Sequence, residues 1–185
     1  MITIEASGIG RAAAARLAAH GHLVLIGSRR LDESERFAAR LRDRGDSAFA
    51  AHLDLADPRS INRFLGAAQY LIGTPDVLIT DVERVGAQTL VTRVIPAMIA
   101  RGSGDVVLVG PELAGVRCAG VQRNFDAWLA GLDAEFVGTA VRASAVRATH
   151  SGAVASTGDA GRLVAGMVGS RLRLVELLPS AVPAR

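Results

Sequence analysis

The chain has 185 residues, half of them apolar, and a formal net charge of +3 at pH 7. This length suits one domain with a sizeable core, and no apolar run approaches the roughly 18–20 residues of a membrane-spanning helix. All 21 basic residues are arginine, but they are spread along the chain and alternate with acidic residues, as at 29–36, which is typical of solvated helix faces and argues against nucleic-acid binding.

The hydrophobic pattern alternates between short apolar strands and helical segments from one end of the chain to the other. Helix ends carry recognisable signals: Asp57 and Pro58 are favoured at an N-cap and at the first helical position, and Gly21 ends an Ala-rich helix. Strands are predicted at residues 2–4, 22–27, 47–53, 76–80, 105–109, 140–148 and 172–178. Helices are predicted at residues 8–20, 31–44, 57–72, 81–101, 123–137 and 158–167.

This alternation predicts a single α/β domain over residues 1–185, with a doubly wound, Rossmann-like parallel sheet and helices on both faces. About seven strands in the order 3-2-1-4-5-6-7 are expected. Sheets of this kind bind ligands beyond the carboxyl ends of the strands, where the strand order reverses beside the first strand. We therefore expect a ligand site at that edge.

The first strand leads into a glycine-containing turn and a helix, with the sequence Thr-Ile-Glu-Ala-Ser-Gly-Ile-Gly at 3–10. The start of such a helix offers unpaired amides and the positive end of the helix dipole to a phosphate. The segment resembles the short-chain dehydrogenase/reductase family, whose loop reads Thr-Gly-x-x-x-Gly-x-Gly and holds a dinucleotide pyrophosphate. The resemblance implies cofactor contacts from Ser7, Gly8, Ile9 and Gly10.

Two residues depart from the family loop. Ile4 stands at the position of the first family glycine, and a β-branched residue resists the positive φ that glycine adopts freely. Glu5 adds a carboxylate to a loop that receives phosphate. Both residues weaken the predicted NADP(H) site, and the alternative interpretation is that the Gly8-Ile9-Gly10 turn only tightens the strand-to-helix connection.

The ends of strands two to four supply the remaining predicted cofactor contacts. Ser28 stands where an acidic residue would accept a hydrogen bond from the ribose 2′-hydroxyl, whereas Arg29 and Arg30 suit a 2′-phosphate. The resemblance therefore implies NADP rather than NAD. It also implies adenine contacts from the pair Asp54-Leu55, and we place Thr80, at the end of strand four, in the same site.

The catalytic residues of the family are an Asn, a Ser, a Tyr and a Lys, and all four are replaced in this chain. No lysine is present, and the single tyrosine, Tyr70, lies on the helix before strand four. The connections after strands four to six are also shorter than in the family. The aligned positions are Glu83 for Asn, Pro111 or Glu112 for Ser, Cys118 for Tyr and Gln122 for Lys.

Weak catalytic candidates remain beside the expected pocket. His150 could act as a general base, and Glu83, Glu112 and Cys118 fall in neighbouring connections. A histidine after a strand is more often a loop residue, and a lone cysteine is more often a small buried side chain. No histidine has metal-ligand spacing with another ligand, so no metal site is predicted.

Three functions follow from these residues. The first is a catalytically degenerate relative of NADP(H)-linked carbonyl oxidoreductases that binds a dinucleotide or serves as a partner subunit, forming homo- or hetero-oligomers through helices 85–99 and 125–137. The second is a divergent NADP-dependent oxidoreductase acting on a small molecule. The third is a repurposed fold that performs non-redox acid/base chemistry, such as cyclisation or dehydration. A single cysteine and no recognisable signal peptide favour the cytoplasm.

Overall fold

The computed structural model describes the backbone at residues 2–5, 8–82, 86–110, 119–148, 157–169 and 174–177, and side chains at 8–82, 86–110, 123–146 and 158–169. The strands are β1 Ile2–Glu5, β2 Val24–Ser28, β3 Ala48–His52, β4 Val77–Asp81, β5 Gly104–Val109, β6 Val141–Ala148 and β7 Leu174–Leu177. The helices are α1 Gly8–Ala19, α2 Leu31–Arg42, α3 Pro58–Ile72, α4 Ala87–Arg101, α5 Ala119–Glu135 and α6 Thr157–Met167.

The strands form one sheet in the order β3-β2-β1-β4-β5-β6-β7, and all neighbouring pairs are parallel. The strand order reverses at β1, where Ile4 pairs with Ile26 of β2 on one side and Ile79 of β4 on the other. The predicted α/β class and strand order are confirmed. The crevice between β1 and β4 at the carboxyl edge is therefore the position where this topology receives ligands.

Helices cover both faces of the sheet, which explains why the central strands are apolar at consecutive positions. In β2, Leu25 packs towards α3, α4 and α5, whereas Ile26 packs towards α1, α2 and α6. Leu78 and Ile79 of β4 divide in the same way. In the described part of the chain, no helix is both long and apolar enough to cross a membrane.

Helices α1 and α6 approach each other closely through small residues. A Cβ atom added at Gly161 of α6 would lie 2.4 Å from the Cβ of Ala12 and 2.8 Å from the backbone nitrogen of Ala13. Backbone atoms of α1 cannot move aside as a side chain can. This contact joins the first and last parts of the chain on one face of the sheet.

The start of α4 corrects the predicted helix 81–101. Asp81 pairs with Val109 and so still belongs to β4, and α4 begins at Ala87. Gly86 is the N-cap residue with φ 95°, and a Cβ there would lie 1.8 Å from the carbonyl oxygen of Leu55. A close tertiary contact therefore fixes where this helix begins.

The remaining boundaries follow the prediction closely. Helix α5 begins at Ala119, four residues before the predicted start at Arg123, and it ends at Glu135. The other predicted ends lie within two residues of those observed. Errors of this size are ordinary at helix and strand termini, where the last turn or pair is weakly specified.

Candidate functional site

The start of α1 lies at the carboxyl edge of the sheet, beside the crevice between β1 and β4. Gly8, Ile9 and Gly10 form its first turn; Gly8 is exposed and Gly10 is buried. First-turn amides point out of a helix and carry its positive dipole end, which suits a phosphate. A pyrophosphate position at these three residues stays a prediction.

The residues before α1 are less fully described. Ser7 lies outside the described residues, and only the backbone of Ile4 and Glu5 is described, within β1. Their predicted weakening effect on the site stays a prediction.

The two arginines after β2 have different surroundings. The backbone amide of Arg30 donates to Ser28 Oγ at 3.1 Å, and its guanidinium donates from Nη1 to Glu33 Oε1 at 2.9 Å. Arg29 is exposed and forms no ion pair with any residue that the structure describes. Arg29 is thus the more available of the two for an incoming anion.

Glu33 also accepts a hydrogen bond from α1. Arg11 Nη2 lies 3.2 Å from Glu33 Oε2, so the two carboxylate oxygens hold two arginines from different elements. The hydrogen bond from Arg11 is the largest cause that holds the pKa of Glu33 below its ordinary value; partial desolvation opposes it, and the charge of Arg30 adds to it. The carboxylate therefore stays ionised to lower pH than an isolated glutamate would.

The sequence interpretation did not include Arg11 or Glu33 in the site. Their proximity depends on the packing of α1 beside α2, which brings together side chains 22 positions apart. One local signal was available, because Arg30 and Glu33 are spaced i, i+3 at the start of a predicted helix.

The loop after β3 holds the two predicted adenine contacts. The side chain of Asp54 accepts from the amide of Ala56 at 3.0 Å, and the amide of Asp54 donates to Ser60 Oγ at 2.9 Å. Leu55 is a core residue, 5% exposed, and its carbonyl lies against Gly86. Asp54 thus shapes its own loop, and the start of α4 covers part of this edge.

Thr80 ends the buried part of β4, beside the β1–β4 crevice. It is 1% exposed, and its hydroxyl has no hydrogen-bond partner among the residues that the structure describes. A buried hydroxyl without a partner costs about 1–3 kcal/mol. A ligand with a polar group at this point would remove that cost.

The predicted catalytic candidates fall outside the part of the chain that the structure describes. Glu83, Glu112, Cys118 and His150 all lie outside the described residues, and Gln122 is described only through the backbone of α5. Within the described ranges, no group of three or more His, Cys, Asp or Glu side chains could hold a metal ion.

Tyr70 lies at the opposite edge of the sheet from the candidate site. It is in the last turn of α3, which leads to the amino end of β4, and it is 90% exposed. The single tyrosine of the chain therefore cannot take the place of the family's catalytic tyrosine in this fold.

Known proteins with similar sequences and structures were found for this chain. The sequence profile described as short chain dehydrogenase matches residues 1–84, which span β1 to the end of β4. This part of the chain is thus similar to the short-chain dehydrogenase/reductase family. "Glycine betaine reductase ATRR" of Emericella nidulans is 27% identical over 175 residues, which cover 80% of this chain and 14% of that protein. The chain thus spans about a seventh of the length of this curated relative.

Solved structures of short-chain dehydrogenases/reductases share the fold over nearly the whole chain. A metagenomic short-chain oxidoreductase in complex with NADP superposes with a TM-score of 0.85 at 20% identity, covering 98% of both chains. A 3-ketoacyl-ACP reductase from Sinorhizobium meliloti 1021 superposes with a TM-score of 0.80 at 18% identity, covering 95% of this chain and 96% of that one. At these identities the likeness establishes the fold.

Proposed function

We propose that this chain is a short-chain dehydrogenase/reductase that binds NADP(H) at the carboxyl edge of β1 to β4 but does not reduce carbonyl compounds by the family's Tyr–Lys chemistry. The observation that carries the proposal is the contrast between the two sets of residues. The first turn of α1, the exposed Arg29 and the Thr80 hydroxyl, which has no partner among the described residues, suit a phosphorylated dinucleotide, whereas the chain has no lysine and its tyrosine lies at the other edge.

Each part of the binding site has a defined role in this proposal. The amides at the start of α1 receive the pyrophosphate, and Arg29 pairs with the 2′-phosphate. Thr80 offers its hydroxyl to a polar group of the ligand within the crevice. The NADP-bound structural relative supports NADP(H) as the ligand. When bound, NADP(H) supplies hydride exchange in this family.

The absence of carbonyl reduction follows from the general acid. In the family the tyrosine protonates the developing alkoxide, and the lysine lowers the tyrosine pKa and holds the ribose. General acid/base catalysis contributes roughly 10²–10⁴-fold to a rate, so its loss alone removes most of the activity. The aligned residues are Cys118 and Gln122, so neither the tyrosine nor the lysine of the family is present there.

Thermal unfolding with excess NADPH or NADH tests the binding half of the proposal. A ligand at a hundredfold its Kd stabilises the folded state by about 2.7 kcal/mol, which corresponds to a Tm rise of roughly 5–10 °C here. We expect that rise with NADPH and a smaller one with NADH. Arg29→Ala should reduce the NADPH shift, whereas Arg44→Ala, a control at the other end of α2, should not. Equal shifts for both cofactors would contradict the role of Arg29.

Activity tests the second half. We expect no NADPH oxidation by the purified protein with a panel of aldehydes and ketones. Turnover in the range of about 1–10³ s⁻¹ that is typical of enzymes would overturn this part of the proposal while leaving the binding site intact.

We also propose that copies of the chain, or a related chain, associate through α4 and α5. The outward faces of these helices expose small and apolar side chains beside a few charged ones such as Arg93 and Asp126, and burial of the apolar part against a partner is favourable. Ala130→Arg should convert an oligomer into a monomer in light scattering, whereas Ala19→Arg on α1 should not; a wild-type monomer would contradict the proposal. The exposed residues concerned are Pro96, Ala97, Ile99, Ala100, Ala127, Ala130 and Ala134.

A further inference from the structure

Glu33 lies between the two parts of the proposed dinucleotide site. One carboxylate oxygen accepts from Arg11, which follows the Gly8-Ile9-Gly10 turn, and the other accepts from Arg30, which follows β2. Both hydrogen bonds are of ordinary length, at 3.2 and 2.9 Å. A single side chain in the first turn of α2 thus connects the proposed pyrophosphate position to the proposed 2′-phosphate position.

This arrangement decides how much positive charge is available at the end of β2. Arg11, Arg29 and Arg30 all lie in this region, but Glu33 neutralises part of the charge of two of them. The side chain of Arg30 is 78% exposed and that of Glu33 39% exposed, so their pairing is weak enough for a phosphate to compete with it. A fixed carboxylate beside a phosphate position also repels the phosphate directly.

We propose that Glu33 is a specificity-determining residue that lowers the affinity of this site for a 2′-phosphate by holding Arg30 and Arg11, and so narrows the preference for NADP(H) over NAD(H). This inference rests on the proposed function. Glu33 acts through the arginines and by its own charge, and it is not a catalytic residue. Removing the charge should therefore strengthen binding of the phosphorylated cofactor selectively.

The test compares NADPH and NADH binding by titration calorimetry in wild type, Glu33→Gln and Glu35→Gln. Glu35 lies on the same helix and pairs with Arg42, so its replacement changes the net charge equally away from the end of β2. Glutamine keeps the size and helix propensity of glutamate, and the unfolding curve of each apoprotein checks its fold. For Glu33→Gln we expect about three- to tenfold tighter NADPH binding, with NADH changed less than about twofold.

The salt dependence of NADPH binding is a second measurement. A purely structural role of Glu33 would leave this dependence unchanged. Exposed charges are screened over about 10 Å at 0.1 M salt and about 3 Å at 1 M, so the gain from Glu33→Gln should shrink as salt rises. The Glu35→Gln protein should follow wild type at every salt concentration.

The outcomes separate this inference from the proposed function. Tighter NADPH binding by Glu33→Gln alone supports the inference, including the case in which wild type does not bind measurably. Wild-type binding with equal or weaker binding by Glu33→Gln overturns the role of Glu33 and leaves the dinucleotide site standing. No binding of either cofactor by wild type or by Glu33→Gln overturns the proposed site and this inference with it.

Discussion

The first half of the chain, from β1 to β4, and the second half, from α4 to β7, have kept different parts of the family pattern. The first half matches the family profile and places the start of α1, Arg29 and Thr80 at the carboxyl edge. The second half keeps its core, with β5 buried from Val106 to Val109, but it contains neither a tyrosine nor a lysine. The comparison shows that the packed core extends beyond the residues that match the family profile, and a fold by itself does not establish chemistry.

The largest expected effect comes from the contact between the two halves, where Gly86 packs closely against the backbone carbonyl of Leu55. Gly86→Ala introduces a Cβ 1.8 Å from that oxygen and places a non-glycine residue at φ 95°. We expect a loss of about 3–4 kcal/mol in the free energy of unfolding, measured by urea denaturation. Gly102→Ala is the matched control, because it has φ 77° with nothing within 4 Å and should lose about 1–2 kcal/mol. Equal losses would mean that the contact with Leu55 contributes nothing.

A second junction links α1 of the first half to α6 of the second. Gly161→Ala should lower the free energy of unfolding by about 1–3 kcal/mol, because its new methyl group meets backbone atoms of α1. Gly166→Ala on the same helix meets no atom within 4 Å and should raise stability by about 0.5–1 kcal/mol. Opposite signs in thermal unfolding would establish the close approach, and a stabilised Gly161→Ala protein would refute it.

These junctions also show what the sequence could and could not predict. The central strands followed from local features, because consecutive apolar residues such as those of β2 and β4 indicate strands covered on both faces. The strand order followed from the alternation of strands and helices along the chain. The start of α4 did not, since it depends on Gly86 meeting the backbone of Leu55, 31 positions earlier. The bridge from Arg11 to Glu33 was missed for the same reason. Contacts between distant residues decide such details, and a single sequence records them weakly.

A variant at Thr80 tests whether its buried hydroxyl serves a bound ligand or is an ordinary part of the core. Thr80→Val removes a buried hydroxyl without a described partner and keeps the shape, so the apoprotein should gain about 1 kcal/mol while the NADPH-induced rise in Tm falls. Thr139→Val in the second half is the contrast, because Thr139 Oγ1 donates to the Phe136 carbonyl at 2.9 Å and accepts from the Val141 amide at 3.2 Å. That variant should lose about 1 kcal/mol. A destabilised Thr80→Val apoprotein would show that the hydroxyl is satisfied without ligand.

The smallest effect concerns the charge of Glu33 within the first half. Its pKa is held below the ordinary value, so the stability from its pairing is present above the unfolded-state pKa and is lost as pH falls through the folded-state pKa. Carboxyl-carbon NMR should therefore show that the pKa of Glu33 lies below the ordinary value for a glutamate. Arg11→Ala should raise the pKa more than Arg30→Ala does, because the hydrogen bond from Arg11 is the larger cause. The reverse order would mean that the pairing with Arg30, after β2, lowers the pKa of Glu33 more than the pairing with Arg11 of α1 does.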